Sequence, residues 1–214
     1  MQSEGLLADV VTFTSLLKAC SITGTIAKGK QIHDEIVTRG FLKTDMVLGN
    51  ALVDMYAKCG LLEKARQVLQ EFSVVCVVSC NSVILGYVQQ GQDEEAMKCY
   101  AWMRTMGLSP DSITFTWLLK ACESIGAIEK GKEIHEEIVS RGFLEKDIVL
   151  GTALVDMYAR FGVLDKAQHV LEELPIRDTV TWNTLIAGYA NQEQCHQALD
   201  CFERMQSEGL LPDV

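Results

Sequence analysis

The sequence predicts an all-α protein, an α-solenoid built from about six helix–turn–helix hairpins. In residues 179–213, apolar residues recur at the spacing of two amphipathic helices, with an interruption at 191–194 and an end at 209–212. A shift of 102 positions also lays residues 10–111 over residues 112–213 with about half of them identical. Because one hairpin cannot bury both of its faces, repeated hairpins are expected to stack on their neighbours.

Each 102-residue copy divides into three hairpins of 36, 31 and 35 residues. The predicted boundaries are Val10–Asp45, Met46–Cys76 and Val77–Asp111, then Ser112–Asp147, Ile148–Asp178 and Thr179–Asp213. Residues 1–9 nearly duplicate residues 205–213, so they are interpreted as the tail of a preceding hairpin. Residue 214 would begin another hairpin, and the chain is therefore expected to be part of a longer array.

The helices follow from the same periodicity. In the first hairpin, residues 12–24 and 28–40 predict two helices, with Gly40 as the C-cap of the second. The second hairpin (47–60, then 61–72) is shorter because its second helix loses a turn, and the third pairs 81–91 with 92–107. The second copy repeats this plan, except that Glu193 replaces the turn glycine Gly91, which is expected only to stiffen the turn, and Asp178 replaces Cys76.

Two glycines fall inside predicted first helices. Glycine there costs about 1 kcal/mol relative to alanine, so an offset is required. Close helix approach supplies one, and the expected partners are Ala96 for Gly86 and Ala198 for Gly188.

Composition limits the function classes. With 48% apolar residues and three prolines, the chain can bury a continuous core, but its apolar runs are too short to span a membrane. Residues 1–9 lack the features of a signal peptide. A net charge of −10 by itself argues against a nucleic-acid partner. The acids, however, cluster on the predicted second helices, which form a solvated outer surface if the first helices line the inside.

The eight cysteines are interpreted as reduced, mostly buried thiols, because several recur at matched apolar positions: Cys20 with Cys122 and Cys99 with Cys201. Cys76 and Cys80 lack a second pair or a nearby histidine, so we expect no zinc site, no other metal and no cofactor.

Three local patterns resemble a known family. Residues 179–213 (TVTWNTLIAGYA to ALDCFERMQSEGLLPD) are similar to its standard motif, ALVDMYAKCG and ALVDMYARFG to its short motif, and TFTSLLKAC with GKQIH and TFTWLLKAC with GKEIH to its long motif. The whole chain thus resembles a pentatricopeptide repeat (PPR) protein of the plant organellar kind, in which long, short and standard motifs alternate (the PLS class). Tetratricopeptide repeats are related but keep one length of about 34 residues.

The resemblance implies a right-handed superhelix that binds single-stranded RNA with one base per repeat. Carried over residue by residue, it implies six base-reading pairs: Thr14 with Asp45, Asn50 with Cys76, Asn81 with Asp111, Thr116 with Asp147, Thr152 with Asp178, and Asn183 with Asp213. It also implies apolar walls between bases, formed by Val11, Val47, Val78, Ile113, Val149 and Val180. In the family, threonine with aspartate favours G and asparagine with aspartate favours U. The implied target is 5′-G-pyrimidine-U-G-G-U-3′.

Two features weaken this assignment. The family's long motifs follow the code poorly, which affects Thr14 and Thr116, and a thiol at Cys76 is a poor substitute for a carboxylate. Simpler interpretations also exist, since a threonine or asparagine near a helix start is commonly a cap. His33 and His135 are expected to pack or hydrogen-bond rather than form a catalytic pair. Asp54 and Asp156 are expected to make local hydrogen bonds, and Trp117 and Trp182 to pack in the core.

The resemblance further implies the target-recognition segment of a mitochondrial or chloroplast C-to-U editing factor whose transit peptide is not in this chain. The deaminase-like domain would lie elsewhere, because no His-x-Glu with a Cys-x-x-Cys zinc signature occurs, so no catalytic activity is expected. Accessory editing factors are expected to dock on the long motifs, near residues 120–134, and end hairpins are expected to stack between chains. The alternatives are a helical scaffold that binds a protein or peptide and, with less support, a nuclease.

Overall fold

The structure is a computed structural model that describes residues 8–41, 45–71 and 75–211. Twelve helices form in this part of the chain, and no strand occurs within it. The all-α helical repeat array predicted from the sequence is therefore confirmed. None of the helices in these ranges combines the length and apolar character that a membrane span requires. The predicted base-reading residue Asp213 lies outside the described residues.

The chain divides into two compact units, Met1–Ser109 and Pro110–Val214. The first unit contains α1 (Val10–Thr23), α2 (Ile26–Thr38), α3 (Met46–Lys58), α4 (Leu62–Glu71), α5 (Val77–Gln89) and α6 (Asp93–Thr105). The second contains α7 (Ser112–Ser124), α8 (Ile128–Ser140), α9 (Ile148–Arg160), α10 (Leu164–Glu173), α11 (Thr179–Asn191) and α12 (Cys195–Ser207). Helices α4 and α10 have 10 residues where the other second helices have 13, as the lost turn predicted.

Odd-numbered helices form a continuous row within each unit. In the first unit α3 packs between α1 and α5, and in the second α9 packs between α7 and α11. Each even-numbered helix packs on the odd-numbered helix that precedes it. We call the odd-numbered helices first helices and the even-numbered helices second helices. The central first helices α3 and α9 thus use two sides and their back for packing, which leaves one face for solvent or a ligand.

The buried layer between first and second helices is apolar and includes the repeated cysteines. Cys20, Cys99, Cys122 and Cys201 are all buried free thiols, so their interpretation as packing positions is confirmed. Burial of each large apolar side chain in this layer contributes about 1.5–3 kcal/mol to folding. Trp182 is fully buried, and its Nε1–H donates to Glu208 at 3.1 Å, whereas Trp117 is only half-buried.

The two matched histidines make the same contact in both units. His33 Nδ1 lies 2.9 Å from the hydroxyl of Tyr56, and His135 Nδ1 lies 2.9 Å from that of Tyr158. This confirms the predicted packing and hydrogen-bonding role. Burial lowers the pKa of both imidazoles, which favours their neutral form.

The predicted partners of the two helical glycines were wrong. An added Cβ on Gly188 would lie 2.8 Å from Ala159 Cβ, and the atoms nearest to one on Gly86 belong to Leu62 and Ala57. Both glycines therefore permit close approach to the preceding hairpin rather than to their own second helix. The reason is that first helices pack side by side. The tenth residue of a first helix therefore faces the C-terminal end of the preceding first helix.

The turn between α11 and α12 keeps its shape without glycine. Gly91 has φ 67°, and Glu193, at the matching position in the second unit, has φ 59°. A left-handed conformation costs an ordinary residue roughly 1–2 kcal/mol. The substitution therefore strains the turn rather than simply stiffening it.

Gly40 is also shifted from its predicted role. Arg39 is the C-cap of α2, and Gly40 follows it with φ 72°. The left-handed glycine after the cap is the usual way for a helix of this kind to end.

Candidate functional site

The second residue of every first helix is an apolar side chain that the fold leaves in solvent. The exposed fractions are 71% for Val11, 56% for Val47, 64% for Val78, 57% for Ile113, 65% for Val149 and 57% for Val180. Single exposed apolar residues are ordinary on a protein surface, but a matched set on one face is not. Within each unit, these side chains form one apolar row along the first helices, which we call the valine row.

The first member of each predicted base-reading pair lies beside the valine row. These six residues are the fifth residues of the same helices, and residues three apart share a helix face. Three of them are threonines whose hydroxyls lie 2.7–2.9 Å from a backbone carbonyl oxygen one turn earlier, in Thr14, Thr116 and Thr152. Asn183 is exposed and Asn50 is half-buried, whereas only 8% of the Asn81 surface is exposed.

Five of the six residues predicted to close a hairpin, all except the undescribed Asp213, are N-caps of the next first helix. The carboxylate oxygen Oδ1 of Asp45, Asp147 and Asp178 accepts the N–H of the third helical residue at 3.0, 3.1 and 2.8 Å. Asp111 does the same within a capping box. Cys76 is the exception, because its thiol makes no such cap bond. A capping role for these acids is therefore present in the structure, and it uses one of the two carboxylate oxygens.

The structure brings two of the predicted pairs into one hydrogen-bond network each. The Cys76 thiol donates to Asn50 Oδ1 at 3.3 Å. Thr152 and Asp178 are joined through a third residue, Thr181, whose hydroxyl lies 2.6 Å from the Thr152 hydroxyl and 2.7 Å from Asp178 Oδ1.

Two other pairs are not joined in this way. In the ranges that the structure describes, no hydrogen bond links Thr14 to Asp45 or Thr116 to Asp147. Asn81 and Asp111 belong to different units and are described separately. The partner of Asn183, Asp213, is outside the described residues.

A cleft lies between α9 and α11 on the same face. It has a volume of about 420 Å³, and its lining includes Val180, Asn183, Gly188, Asp156 and Arg160. One wall therefore combines an apolar side chain with a carboxamide, and the other end holds Arg160 beside Asp156. An apolar side chain next to a carboxamide suits a flat group with polar edges.

Positive charge on the first helices is sparse. Within α1–α12, the first helices carry Lys18, Lys58, Lys120 and Arg160. Lys58 pairs with Asp54 at 2.8 Å, and Arg160 pairs with Asp156 at 3.0 Å, so the predicted local role of these aspartates is confirmed. On the second helices acids outnumber bases, which locates most of the net negative charge away from the valine row.

Glu123 is a half-buried acid near the C-terminal end of α7. Only 14% of its side chain is exposed, and Arg160 lies 3.3 Å away. Burial, followed by the nearby charge of Asp156, raises the pKa of Glu123 to about 7 although Arg160 opposes the shift. The charge beside Arg160 therefore depends on pH.

Sequence reasoning missed Thr181 and Glu123. The spacing of Thr181 from Asp178 shows in the sequence that it can bond to the cap carboxylate, but not that its hydroxyl also reaches Thr152. Glu123 could not be singled out from the sequence, because its environment is set by side chains of α9.

Comparisons with known proteins agree with this architecture. A family model described as "PPR repeat family" matches residues 75–124 and 177–214, and one described as "PPR repeat" matches residues 11–41 and 50–73. In Arabidopsis thaliana, the pentatricopeptide repeat-containing protein At4g18520, chloroplastic, is 35% identical over all of the chain and 34% of its own length. The corresponding protein At3g02330, mitochondrial, is 34% identical over 96% of the chain and 25% of its length. The chain thus spans about a third or less of these relatives.

Solved structures share the fold. The crystal structure of the pentatricopeptide repeat protein PPR10 from maize superposes on the whole chain with a TM-score of 0.82 at 23% identity, and the chain covers 31% of it. A crystal structure of PPR10 in complex with an 18-nt psaJ RNA element gives a TM-score of 0.63 at 22% identity, with 37% of that protein covered.

Proposed function

The chain belongs to the pentatricopeptide repeat family, and on this basis we propose that it binds single-stranded RNA sequence-specifically, with one base per hairpin. In this proposal the hairpins are the long, short and standard motifs of the PLS class. The similar fold of PPR10, which has been solved in complex with an RNA element, supports RNA as the ligand.

The valine row is the observation that carries the proposal. An apolar side chain at the same exposed position of six helices gains nothing from folding, since it stays in water. The same side chain gains contact when a flat base lies against it. Stacked bases need walls on both faces, and one wall per hairpin sets the spacing of one base per hairpin.

The polar side chains beside the valine row would determine which base binds. A single-stranded base exposes its Watson–Crick edge, which side chains can read by hydrogen bonds. Uracil presents a donor flanked by two acceptors, and the carboxamide of Asn183 can both donate and accept. Guanine presents two adjacent donors, which fit a threonine oxygen beside a carboxylate such as Thr152 with Asp178.

The larger role is an inference from the relatives. Their chloroplastic and mitochondrial names support an organellar location. We propose that the chain is the target-recognition segment of an organellar C-to-U editing factor and supplies recognition without a catalytic group. Any deaminase-like domain would lie outside this chain. The long hairpins would dock accessory factors through residues 120–134, and the end hairpins would stack between chains, which light scattering at rising concentration tests.

The central experiment is a titration with labelled RNA. An oligonucleotide that contains 5′-G-pyrimidine-U-G-G-U-3′ should bind at least about tenfold more tightly than a scrambled sequence of the same composition, because each well-read base contributes about 1 kcal/mol or more. Equal affinity for both oligonucleotides would refute the code, and no affinity for either would refute RNA binding.

Two matched variants locate the site. Val149 in the valine row is 65% exposed, and Val139 on the second helix α8 is 50% exposed. Val149→Ser should weaken RNA binding by about three- to tenfold through loss of base contact, and Val139→Ser should leave it unchanged. Equal effects of the two variants would mean that the valine row does not contact the RNA.

A protein or peptide scaffold is the second candidate, because the net charge is −10 and the second helices carry the acid excess. A scaffold of this kind would favour a basic peptide on the second helices. In that case Val139→Ser would impair partner binding and the RNA titration would show no sequence preference.

A further inference from the structure

We propose that Thr181 is a positioning residue that makes the Thr152–Asp178 pair select guanine, an inference that rests on the proposed RNA binding. Thr181 is the third residue of α11 and is completely buried, so it cannot itself touch a base. Its hydroxyl nevertheless lies between the two side chains that would do so.

The distances define a short hydrogen-bond chain. The Thr181 hydroxyl lies 2.7 Å from Asp178 Oδ1 and 2.6 Å from the Thr152 hydroxyl, and the Thr181 N–H also donates to Asp178 Oδ1 at 2.8 Å. Both O···O distances are in the range of good hydroxyl hydrogen bonds. Thr152 and Asp178 belong to the same predicted hairpin, near its two ends. The hydrogen bonds through Thr181 therefore fix the distance between them across two packed first helices.

The positions of the hydroxyl protons determine which donors and acceptors Thr152 and Asp178 present to a base. Each hydroxyl has one proton and two lone pairs. The Thr181 hydroxyl donates its hydrogen bond to the Asp178 carboxylate, because a hydrogen bond to an ionised acceptor is stronger than one to a hydroxyl. The proton on the 2.6 Å line must then come from Thr152, whose other inward acceptor is the Ile148 carbonyl oxygen at 2.9 Å. Thr152 therefore presents only lone pairs outward, beside the carboxylate of Asp178.

Two adjacent acceptors select one base. Guanine has two neighbouring donors on its Watson–Crick edge, whereas adenine and cytosine each place a ring acceptor next to their amino group and uracil has a single donor. With Thr181 in place, an adenine would meet the lone pairs of Thr152 with its own ring acceptor. Without the Thr181 hydroxyl, only the weaker bond to the Ile148 carbonyl holds the Thr152 proton, which can then turn outward and satisfy adenine.

The neighbouring hairpin provides an internal contrast. Asp147 Oδ1 accepts the N–H of Leu150 at 3.1 Å, and Leu150 has no hydroxyl to reach Thr116. Asp45 and Leu48 repeat this arrangement in the first unit. The Thr116 hydroxyl donates to the Ser112 carbonyl oxygen, with 2.8 Å between the two oxygens, and no second hydroxyl links it to Asp147 in the described part of the chain. The structure thus assigns stronger base discrimination to the hairpin of Thr152 than to the long hairpins.

The test measures discrimination rather than affinity. RNAs that differ only at the fifth base of the target (G, A, C or U) are titrated against the whole chain and against Thr181→Val, which keeps the side-chain volume, and Thr181→Ser, which keeps the hydroxyl. Thr181→Val should reduce the ratio of the A and G dissociation constants by about fivefold, the value of one hydrogen bond, and Thr181→Ser should restore it.

Thr12→Val is the matched control. Thr12 makes the same pair of bonds to Asp9, at 2.8 and 2.7 Å, but Asp9 has no fifth-position partner in this chain. The control should leave discrimination at the fifth base unchanged. Thr181→Ala replaces Thr181→Val if the valine variant unfolds, as judged by circular dichroism.

The outcomes separate the two proposals. A uniform loss of affinity for all four RNAs with an unchanged ratio would show that Thr181 is only a helix cap and would overturn the inference while RNA binding stands. The inference is also overturned if the wild-type chain binds the target but does not distinguish G from A. Absence of binding to every RNA would instead refute the proposed function.

Discussion

Replacement of Gly188 by alanine is expected to destabilise the protein by about 2 kcal/mol, whereas the same change at Gly86 should be nearly neutral. The new methyl group at 188 would lie 2.8 Å from Ala159 Cβ and 3.1 Å from Leu164 Cδ2. Carbon atoms pack favourably at about 3.5–4.0 Å. Because Ala159 Cβ is fixed to the backbone of α9, relief requires α9 and α11 to move apart.

The magnitude follows from two opposing effects. Overpacking costs about 1–3 kcal/mol, and a contact against a backbone-fixed methyl belongs near the top of that range. Alanine recovers about 1 kcal/mol over glycine inside a helix. At Gly86 the nearest atom is the end of the rotatable Leu62 side chain, and the next, Ala57 Cβ, is 3.6 Å away. A rotamer change at Leu62 relieves that contact, so the cost and the gain nearly cancel.

The assay is urea unfolding followed by circular dichroism. A loss of about 2 kcal/mol shifts the midpoint by about 1 M for a typical urea dependence. The double variant Gly188→Ala with Ala159→Gly should recover part of the loss, because it removes the closer methyl group. A midpoint for Gly188→Ala at or above that of Gly86→Ala would refute the packing argument.

Three further predictions concern charge and capping. The raised pKa of Glu123 means that its protonated form stabilises the folded state most below about pH 4.5. This contribution of about 3 kcal/mol to the free energy of unfolding is lost as the pH rises to about 7. In chemical denaturation at several pH values, Glu123→Gln should remove this pH dependence of stability. RNA affinity should fall only shallowly with salt, with a logarithmic slope between about −1.4 and −2.8 for two to four phosphate contacts, and a much steeper slope would contradict the sparse positive charge of the first helices. Cys76→Asp should gain about 1 kcal/mol of stability as a new N-cap and raise the preference for U at the second base; unchanged base preference would contradict the role of this position.

Local features of the sequence predicted the helices well. The shortened α4 and α10, the buried matched cysteines and the placement of the fifth residues on first helices all follow from a pattern that repeats within each hairpin. Periodicity identifies which residues of one helix share a face. It does not identify the neighbour that the face meets, which is why the partners of Gly86 and Gly188 were misassigned to their own hairpins.

Contacts between distant residues account for the features that were missed. Glu123 acquires its raised pKa from burial and from Asp156 on the adjacent first helix, and the first copy has Ser21 at the matching position. Thr181 reads from the sequence as an ordinary N-terminal helix residue. Its second contact, to Thr152, comes from 29 residues earlier and depends on how α9 and α11 pack.

The closing aspartates show how one side chain can serve both the fold and the ligand. Capping requires one carboxylate oxygen, and in Asp45, Asp147 and Asp178 that oxygen is Oδ1. The presence of an aspartate is therefore explained by helix stability alone and is no proof of base reading. What capping does not explain is a valine or isoleucine left in solvent three residues before each polar side chain, or a buried hydroxyl that ties Asp178 to Thr152 on the preceding first helix. These two features contribute nothing that a helix N-terminus requires, and the proposed RNA binding gives both a role, with a base between adjacent first helices.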